Sequence, residues 1–288
     1  MTGLILKAVG GLYTVESPDG IITCKARGIF RKHGLSPCTG DRVMVENDCI
    51  TKILPRRNVL IRPPLANLDK LFFVVASCEP APNVLLLDRF LAVCEYKQIE
   101  PMLVFTKLDL ADAALFMETY RKAGYRVYGV DYQDPACVQA IAREMQGCIS
   151  AFTGNSGVGK STLLNAIDSR LQLETGEISK KLGRGKHTTR HVELYTLENG
   201  GKIADTPGFS TFETESYAVI PPNELADCFP ELREVEEPCR YGDCRHLHEP
   251  DCAIRKAVAA GEIPESRYES YVIMLEEAMK QKSWEQKK

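Results

Sequence analysis

Residues 154–162, GNSGVGKST, restrict this chain more than any other stretch. Gly154, Gly159, Lys160 and Ser161 fall on every fixed position of the pattern GxxxxGK[ST]. Just before it, Cys148 to Thr153 is a short apolar run that predicts a buried strand. Just after it, Leu163, Leu164, Ile167 and Leu171 recur at helical spacing. A strand, a tight loop and a helix start aim backbone N–H groups and the positive helix end at one point. Glycine lets such a loop curl around a phosphate with no Cβ in the way. The prediction is a nucleoside triphosphate site, its phosphates held by Gly154, Asn155, Ser156, Gly157, Val158, Gly159, Lys160, Ser161 and Thr162. Lys160 would neutralise the β- and γ-phosphates, and the Ser161 hydroxyl would help to hold Mg²⁺.

The 288 residues leave room for two domains, or one large domain with appendages. No run of 18 apolar residues is present, and MTGLILKAVGGLYTVE does not read as a secretory leader. The expectation is a cytoplasmic protein without a membrane partner. Its 11 cysteines are mostly scattered singly in apolar surroundings, as small buried hydrophobes. Without a secretory context, the one cluster near the C-terminus reads first as a metal site. The net charge of −3 is unevenly spread: residues 1–62 hold ten Lys/Arg against five Asp/Glu, while residues 214–288 hold ten against sixteen. A basic N-terminal unit on a mildly acidic chain suggests a local anionic partner.

Taken in order, the chain divides into residues 1–62, 63–213 and 214–288. In the first part Leu4 to Val9, Tyr13 to Glu16, Ile21 to Arg27, Asp41 to Glu46 and Cys49 to Ile53 read as strands. Asn47-Asp48 predicts a tight hairpin between the last two. Five short strands without a helix predict an OB-type barrel, and its interleaved basic residues fit single-stranded nucleic acid or an ordinary solvated face. Arg62-Pro63-Pro64 reads as a linker. Beyond it, strands at 71–76, 102–105 and 125–130 alternate with helices at 84–96, 111–123 and 135–145, the pattern of a covered parallel sheet. Residues 191–197 and 202–204 add two strands, the first antiparallel at an edge. The last part reads as mostly helical, ending in an amphipathic helix from Ser266.

Three further motifs carry chemistry. Thr106-Lys107-Leu108-Asp109 closes a strand in the [NT]KxD form that reads guanine. A buried Asp109 carboxylate would accept from the ring N–H and the exocyclic amine, a pair that adenine does not offer. Asp205-Thr206-Pro207-Gly208 follows another strand; Asp205 would bond a water of Mg²⁺ and the Gly208 N–H would sense the γ-phosphate. Between the loop and this turn, residues 172–191 are polar and glycine-punctuated, as in a switch. There Thr189, with Thr188 as rival, would complete the magnesium shell. Finally Cys239, Cys244, His246 and Cys252 offer three thiolates and an imidazole, a closed set suited to one structural Zn²⁺, with His248 as rival to His246.

The order of these motifs is permuted. TKLD ends 45 residues before the first glycine of the phosphate loop, whereas ordinary GTPases place it last. With TGEIS, RGKHTTR, DTPGF and CxxxxCxHxxxxxC, the arrangement resembles the RsgA (YjeQ/YloQ) family of ribosome small-subunit-dependent GTPases over essentially the whole chain. The resemblance implies a multidomain α/β protein with an OB-type barrel, a circularly permuted P-loop GTPase domain and a zinc-binding, mostly helical C-terminal domain. It also implies hydrolysis of GTP to GDP, stimulation by the 30S subunit, contact with 16S rRNA in late maturation, and a monomer. Phe209 stands where other GTPases orient water with glutamine, so His187 is the expected catalytic residue beside Thr189. Two rivals stand beside this reading: a nucleotide-gated RNA-binding module in which hydrolysis only triggers release, and an ATP-using P-loop enzyme.

Overall fold

The computed structural model describes residues 1–28, 30, 35–61, 64–171, 192–205 and 220–285. The N-terminal strands are β1 (Thr2–Val9), β2 (Leu12–Ser17), β3 (Gly20–Ala26), β4 (Arg42–Glu46) and β5 (Cys49–Ile53). Pairing runs β1–β2–β3–β5–β4 and returns from β4 to β1, so the barrel closes as expected. Alternation along the strands sends Ile5, Val15, Val43, Val45 and Ile50 into a small core. Asn47 and Asp48 both adopt positive φ, the geometry of a two-residue hairpin turn.

The expected linker, of which Arg62 and Pro63 lie outside the described residues, is flanked by two paired strands. β6 (Val59–Ile61) and β7 (Pro64–Ala66) pair antiparallel, with Ile61 opposite Pro64. Proline is tolerated as the first residue of a strand, which the breaker rule alone did not anticipate. Leu60 and Leu65 are buried in the same cluster as the α/β strands that follow.

Those strands are β8 (Lys70–Ala76), β9 (Glu100–Thr106), β10 (Arg126–Gly129), β11 (Ile149–Thr153), β12 (Glu193–Thr196) and β13 (Lys202–Asp205). The helices between them are α1 (Val84–Lys97), α2 (Ala114–Lys122), α3 (Pro135–Glu144) and α4 (Lys160–Ile167). Strand order is β10-β9-β8-β11-β13-β12, parallel except for β12. Phe72, Val74 and Met102 face α3 and α4, while Leu71, Phe73 and Phe105 face α1 and α2, so both faces are covered. The chain winds outward through β8, β9 and β10, then returns to place β11 on the other side of β8. That reversal puts a crevice beyond the C-terminal ends of β8 and β11, where ligands of such sheets bind.

β12 is not a free edge, contrary to expectation. Its Glu193 lies opposite Lys7 of β1, with a 2.5 Å ion pair between them, so sheet and barrel form one continuous ladder. An edge strand left with open N–H and C=O groups readily takes another strand, and here it takes the barrel's.

The C-terminal part holds α5 (Pro230–Arg233), α6 (Ala253–Ala259) and α7 (Glu265–Glu285). It is fastened to α1 by Arg267, fully buried, which donates to Asp88 and Glu231 at 2.6 Å each and to the Tyr125 hydroxyl at 3.3 Å. The guanidinium also lies 4.7 Å from the centre of the Phe229 ring. Arg89 to Glu277, at 2.7 Å, adds a second, partly exposed pair between α1 and α7. Among the described residues no helix is long and apolar enough to cross a membrane.

Candidate nucleotide site and metal centre

The phosphate loop occupies the predicted crevice, between β11 and α4. Gly154 has φ 141°, and a Cβ there would stand 2.2 Å from the Val74 carbonyl oxygen of β8. Only glycine lets the loop pass so close to the neighbouring strand. Gly159 caps α4 at φ 94°, and Ser161 is buried in the first turn. Lys160 turns back on its own loop, its ammonium donating to the carbonyls of Gly154 at 2.5 Å and Asn155 at 2.7 Å. Burial lowers its pKa to about 8. An arriving polyphosphate would draw that charge outward.

The guanine motif stands directly against this loop. Thr106, the last residue of β9, donates its hydroxyl to the carbonyl of Val158 at 2.6 Å. This bond ties TKLD to GNSGVGKS across β8, although the chain visits them in swapped order. The threonine in place of the commoner asparagine keeps that tie with a hydroxyl. Lys107 adopts φ 59°; its carbonyl accepts from Ser77 Oγ at 2.6 Å, and its ammonium donates to the Glu79 carbonyl. Ser77 and Glu79, in the loop after β8, were not singled out from sequence. Leu108 packs on Gly129, whose added Cβ would meet Leu108 Cδ1 at 2.8 Å. The C-terminal end of β10 therefore flanks the guanine motif. Asp109 is exposed, not buried as expected. It sits past the strand end on a turn, where there is no core to cover it.

Of the magnesium and catalytic candidates, Ser161 alone has a described side chain. The backbone of Asp205 closes β13 opposite Glu193. Residues 172–191, with His187, Thr188 and Thr189, and residues 206–219, with Gly208 and Phe209, lie outside the described residues.

In the C-terminal part, one ligand atom each from Cys239, Cys244, His246 and Cys252 lies within 4.8 Å of the others. Cys239 Sγ is 3.6 Å and Cys252 Sγ 3.4 Å from His246 Nδ1, and the two sulfurs are 3.9 Å apart. A tetrahedron with ~2.3 Å metal–sulfur arms has an edge of about 3.8 Å, so the donor set fits a tetrahedral ion. His246, not His248, turns inward, at φ 61°. The loop is held from below by α7: Tyr268 Oη donates to the His246 carbonyl at 2.6 Å and Tyr271 Oη to the Arg245 carbonyl at 2.9 Å. Glu249 accepts from the N–H groups of Arg245, Leu247 and His248, at 2.9, 2.8 and 3.0 Å. Both tyrosines were legible only as members of an apolar stripe; their hydroxyls are what address the loop.

A family model described as RsgA GTPase matches residues 53–215, more than half of the chain, and one described as RsgA N-terminal domain matches residues 2–52. The chain belongs to the RsgA GTPase family. The small ribosomal subunit biogenesis GTPase RsgA of Bacillus cereus is 40% identical over 291 residues, covering 97% of this chain and 98% of that one. The RsgA of Geobacillus kaustophilus is 43% identical with the same coverage, 97% and 98%. The crystal structure of YloQ, titled a circularly permuted GTPase, superposes with TM-score 0.79 at 36% identity, covering 97% of this chain and 95% of that one. YjeQ from Thermotoga maritima does so with TM-score 0.79 at 33% identity, covering 96% and 98%. The YloQ title thus names the circular permutation read here from motif order.

Proposed function

We propose that this chain hydrolyses GTP to GDP and phosphate when it docks on the small ribosomal subunit, and acts in late maturation of that subunit. The observation that carries this reading is the hydrogen bond from Thr106 to Val158, because it ties the TKLD segment to the phosphate loop. The Asp109 carboxylate would take the two guanine N–H groups, and Lys107 would lie along the base. The N–H groups of the phosphate loop and Lys160 would take the phosphates. Ser161, Thr189 and Asp205 are the residues that would hold Mg²⁺, which when bound offsets charge on the β- and γ-phosphates. Cys239, Cys244, His246 and Cys252 would hold Zn²⁺ in a closed, structural site.

With Phe209 unable to polarise water, intrinsic turnover is slow, and His187 positions the attacking water when the subunit is bound. The relatives' name, small ribosomal subunit biogenesis GTPase, supports the partner. Contact with 16S rRNA is supported by the net positive charge of residues 1–62. The test is GTP turnover with and without purified 30S subunits, in parent and His187→Ala. Stimulation that His187→Ala abolishes, with GTP affinity nearly intact, is the expected result; equal stimulation in both would remove the histidine from the mechanism. No stimulation of the parent would remove the subunit.

A further inference from the structure

A second cleft lies at the opposite end of the sheet from the nucleotide loop. It opens at the seam between barrel and sheet, has a volume of about 300 Å³, and is lined by Arg42, Arg57, Asn67, Asp69, Cys148 and Lys202 among others. Asp69 precedes β8, Cys148 precedes β11 and Lys202 opens β13, so the cleft sits at the N-terminal strand ends. The five residues of β11 separate it from the phosphate loop by roughly 16 Å, at ~3.3 Å per residue. Its size and its place between two units are those of a small-ligand site.

The donors facing this cleft are not used up. The exposed guanidinium of Arg42 on β4 has no acceptor among the described residues. Arg57 uses only Nη2, which reaches the Leu68 carbonyl at 3.1 Å and Asp69 Oδ1 at 2.6 Å; its Nε and Nη1 meet no acceptor there. Lys202 spends its ammonium on Glu16 at 2.9 Å and on Thr196 Oγ1 at 2.9 Å. The acids are already engaged: the other Asp69 oxygen accepts from the Ile149 N–H at 2.7 Å. Three cations stand against Asp69 and Glu16, so the cleft keeps a positive excess. Two guanidinium forks and the Lys202 ammonium at one cleft suit an anion that carries several oxygens. A phosphate, with an oxygen for each of three cations, meets that description better than a two-oxygen carboxylate.

We infer that the seam cleft is a phosphate-binding site, separate from the nucleotide loop, that clamps barrel and sheet on one phosphate group. The phosphate is supplied by an RNA backbone or by a free phosphate compound. The RNA source rests on the small-subunit reading above; the phosphate chemistry does not. The test uses full-length protein with its nucleotide loop saturated by GDP and Mg²⁺, titrated with inorganic phosphate and, separately, with a poly(U) oligonucleotide at several salt concentrations. Arg42→Glu is the variant, because the exposed side chain, unlike the backbone, makes no hydrogen bond or ion pair among the described residues; Lys122→Glu on α2 is the control. If RNA is the source, Arg42→Glu lowers the salt slope of oligonucleotide binding by ~0.7, one single-strand phosphate contact, while Lys122→Glu does not. If a free phosphate compound is the source, inorganic phosphate binds to the parent and to Lys122→Glu but not to Arg42→Glu. If neither probe binds the parent, or neither distinguishes Arg42→Glu from Lys122→Glu, the inference is wrong. Basal GTP turnover of Arg42→Glu stays at the parent value, so a failure here is separable from a failure of the GTPase reading.

Discussion

The nucleotide loop and the metal loop use similar backbone but rest on different foundations. Gly154, Gly159 and Lys107 on one side, and His246 and Asp251 on the other, all stand at positive φ. Behind the nucleotide loop lie β8, β9 and β11, packed on both faces, and the Thr106 bond locks two loops together without any ligand. Around the cysteines, residues 234–252 contain no helix or strand, and side chains hold the loop: the Tyr268 and Tyr271 hydroxyls, Glu249, and the packing of Leu247 and Cys252 on the apolar cluster. A loop backed by a sheet is organised before its ligand arrives. A loop without one would take its shape from an ion that its donors surround.

The largest expected difference follows from removing the metal. Chelation, or Cys244→Ser, should forfeit on the order of 10 kcal/mol of metal-coupled folding free energy at the C-terminal loop. Hydrogen exchange would show this as lost protection in residues 234–260, with GTP affinity unchanged. Loss of GTP binding in the same sample would erase the contrast between the two foundations.

A smaller effect tests the lock itself. Thr106→Val keeps the shape of the side chain but leaves the Val158 carbonyl unpaired, which costs about 1–3 kcal/mol. That penalty should appear in GTP affinity and in exchange of the phosphate loop, not at the cysteines. An equal loss of protection at both ends would mean that the two loops are not independent.

The smallest effect is in pH. Burial holds the free Lys160 ammonium at about 8, whereas GTP binding requires it charged. Affinity should be flat below that pH and fall as pH rises through it, by at most roughly tenfold per unit. Calorimetric titrations from pH 7 to about 9.5 would detect it, and a flat profile would show that the lysine keeps its ordinary pKa.

Most of the nucleotide site was legible because each of its demands is local. A glycine at a close approach, a lysine at a helix start and helical spacing after it are all readable within twenty residues. What escaped depends on distant partners. The ladder from β12 to β1 joins Glu193 to Lys7, and no local pattern marks that register. β6 and β7 pair, with Pro64 in the second, because Leu60 and Leu65 reach the sheet core, which overrides the breaker reading of that proline. Arg267 sits on a helix read as amphipathic, yet it is fully buried because Asp88 and Glu231 arrive from other elements to pair with it. The chain could be read for what each segment must do, but not for which strangers in sequence complete it.

The central claim is that Asp109 and Lys160 grip opposite ends of one guanine nucleotide. Its most direct test is triphosphate specificity in Asp109→Asn. An asparagine amide offers a donor toward the carbonyl at position 2 of xanthine, where guanine has its amine. The account predicts that the parent hydrolyses GTP and ignores ATP and xanthosine triphosphate, and that the variant loses GTP and gains xanthosine triphosphate at the same phosphate loop. Unaltered GTP preference in the variant would contradict it, because the base would then be read somewhere other than Asp109.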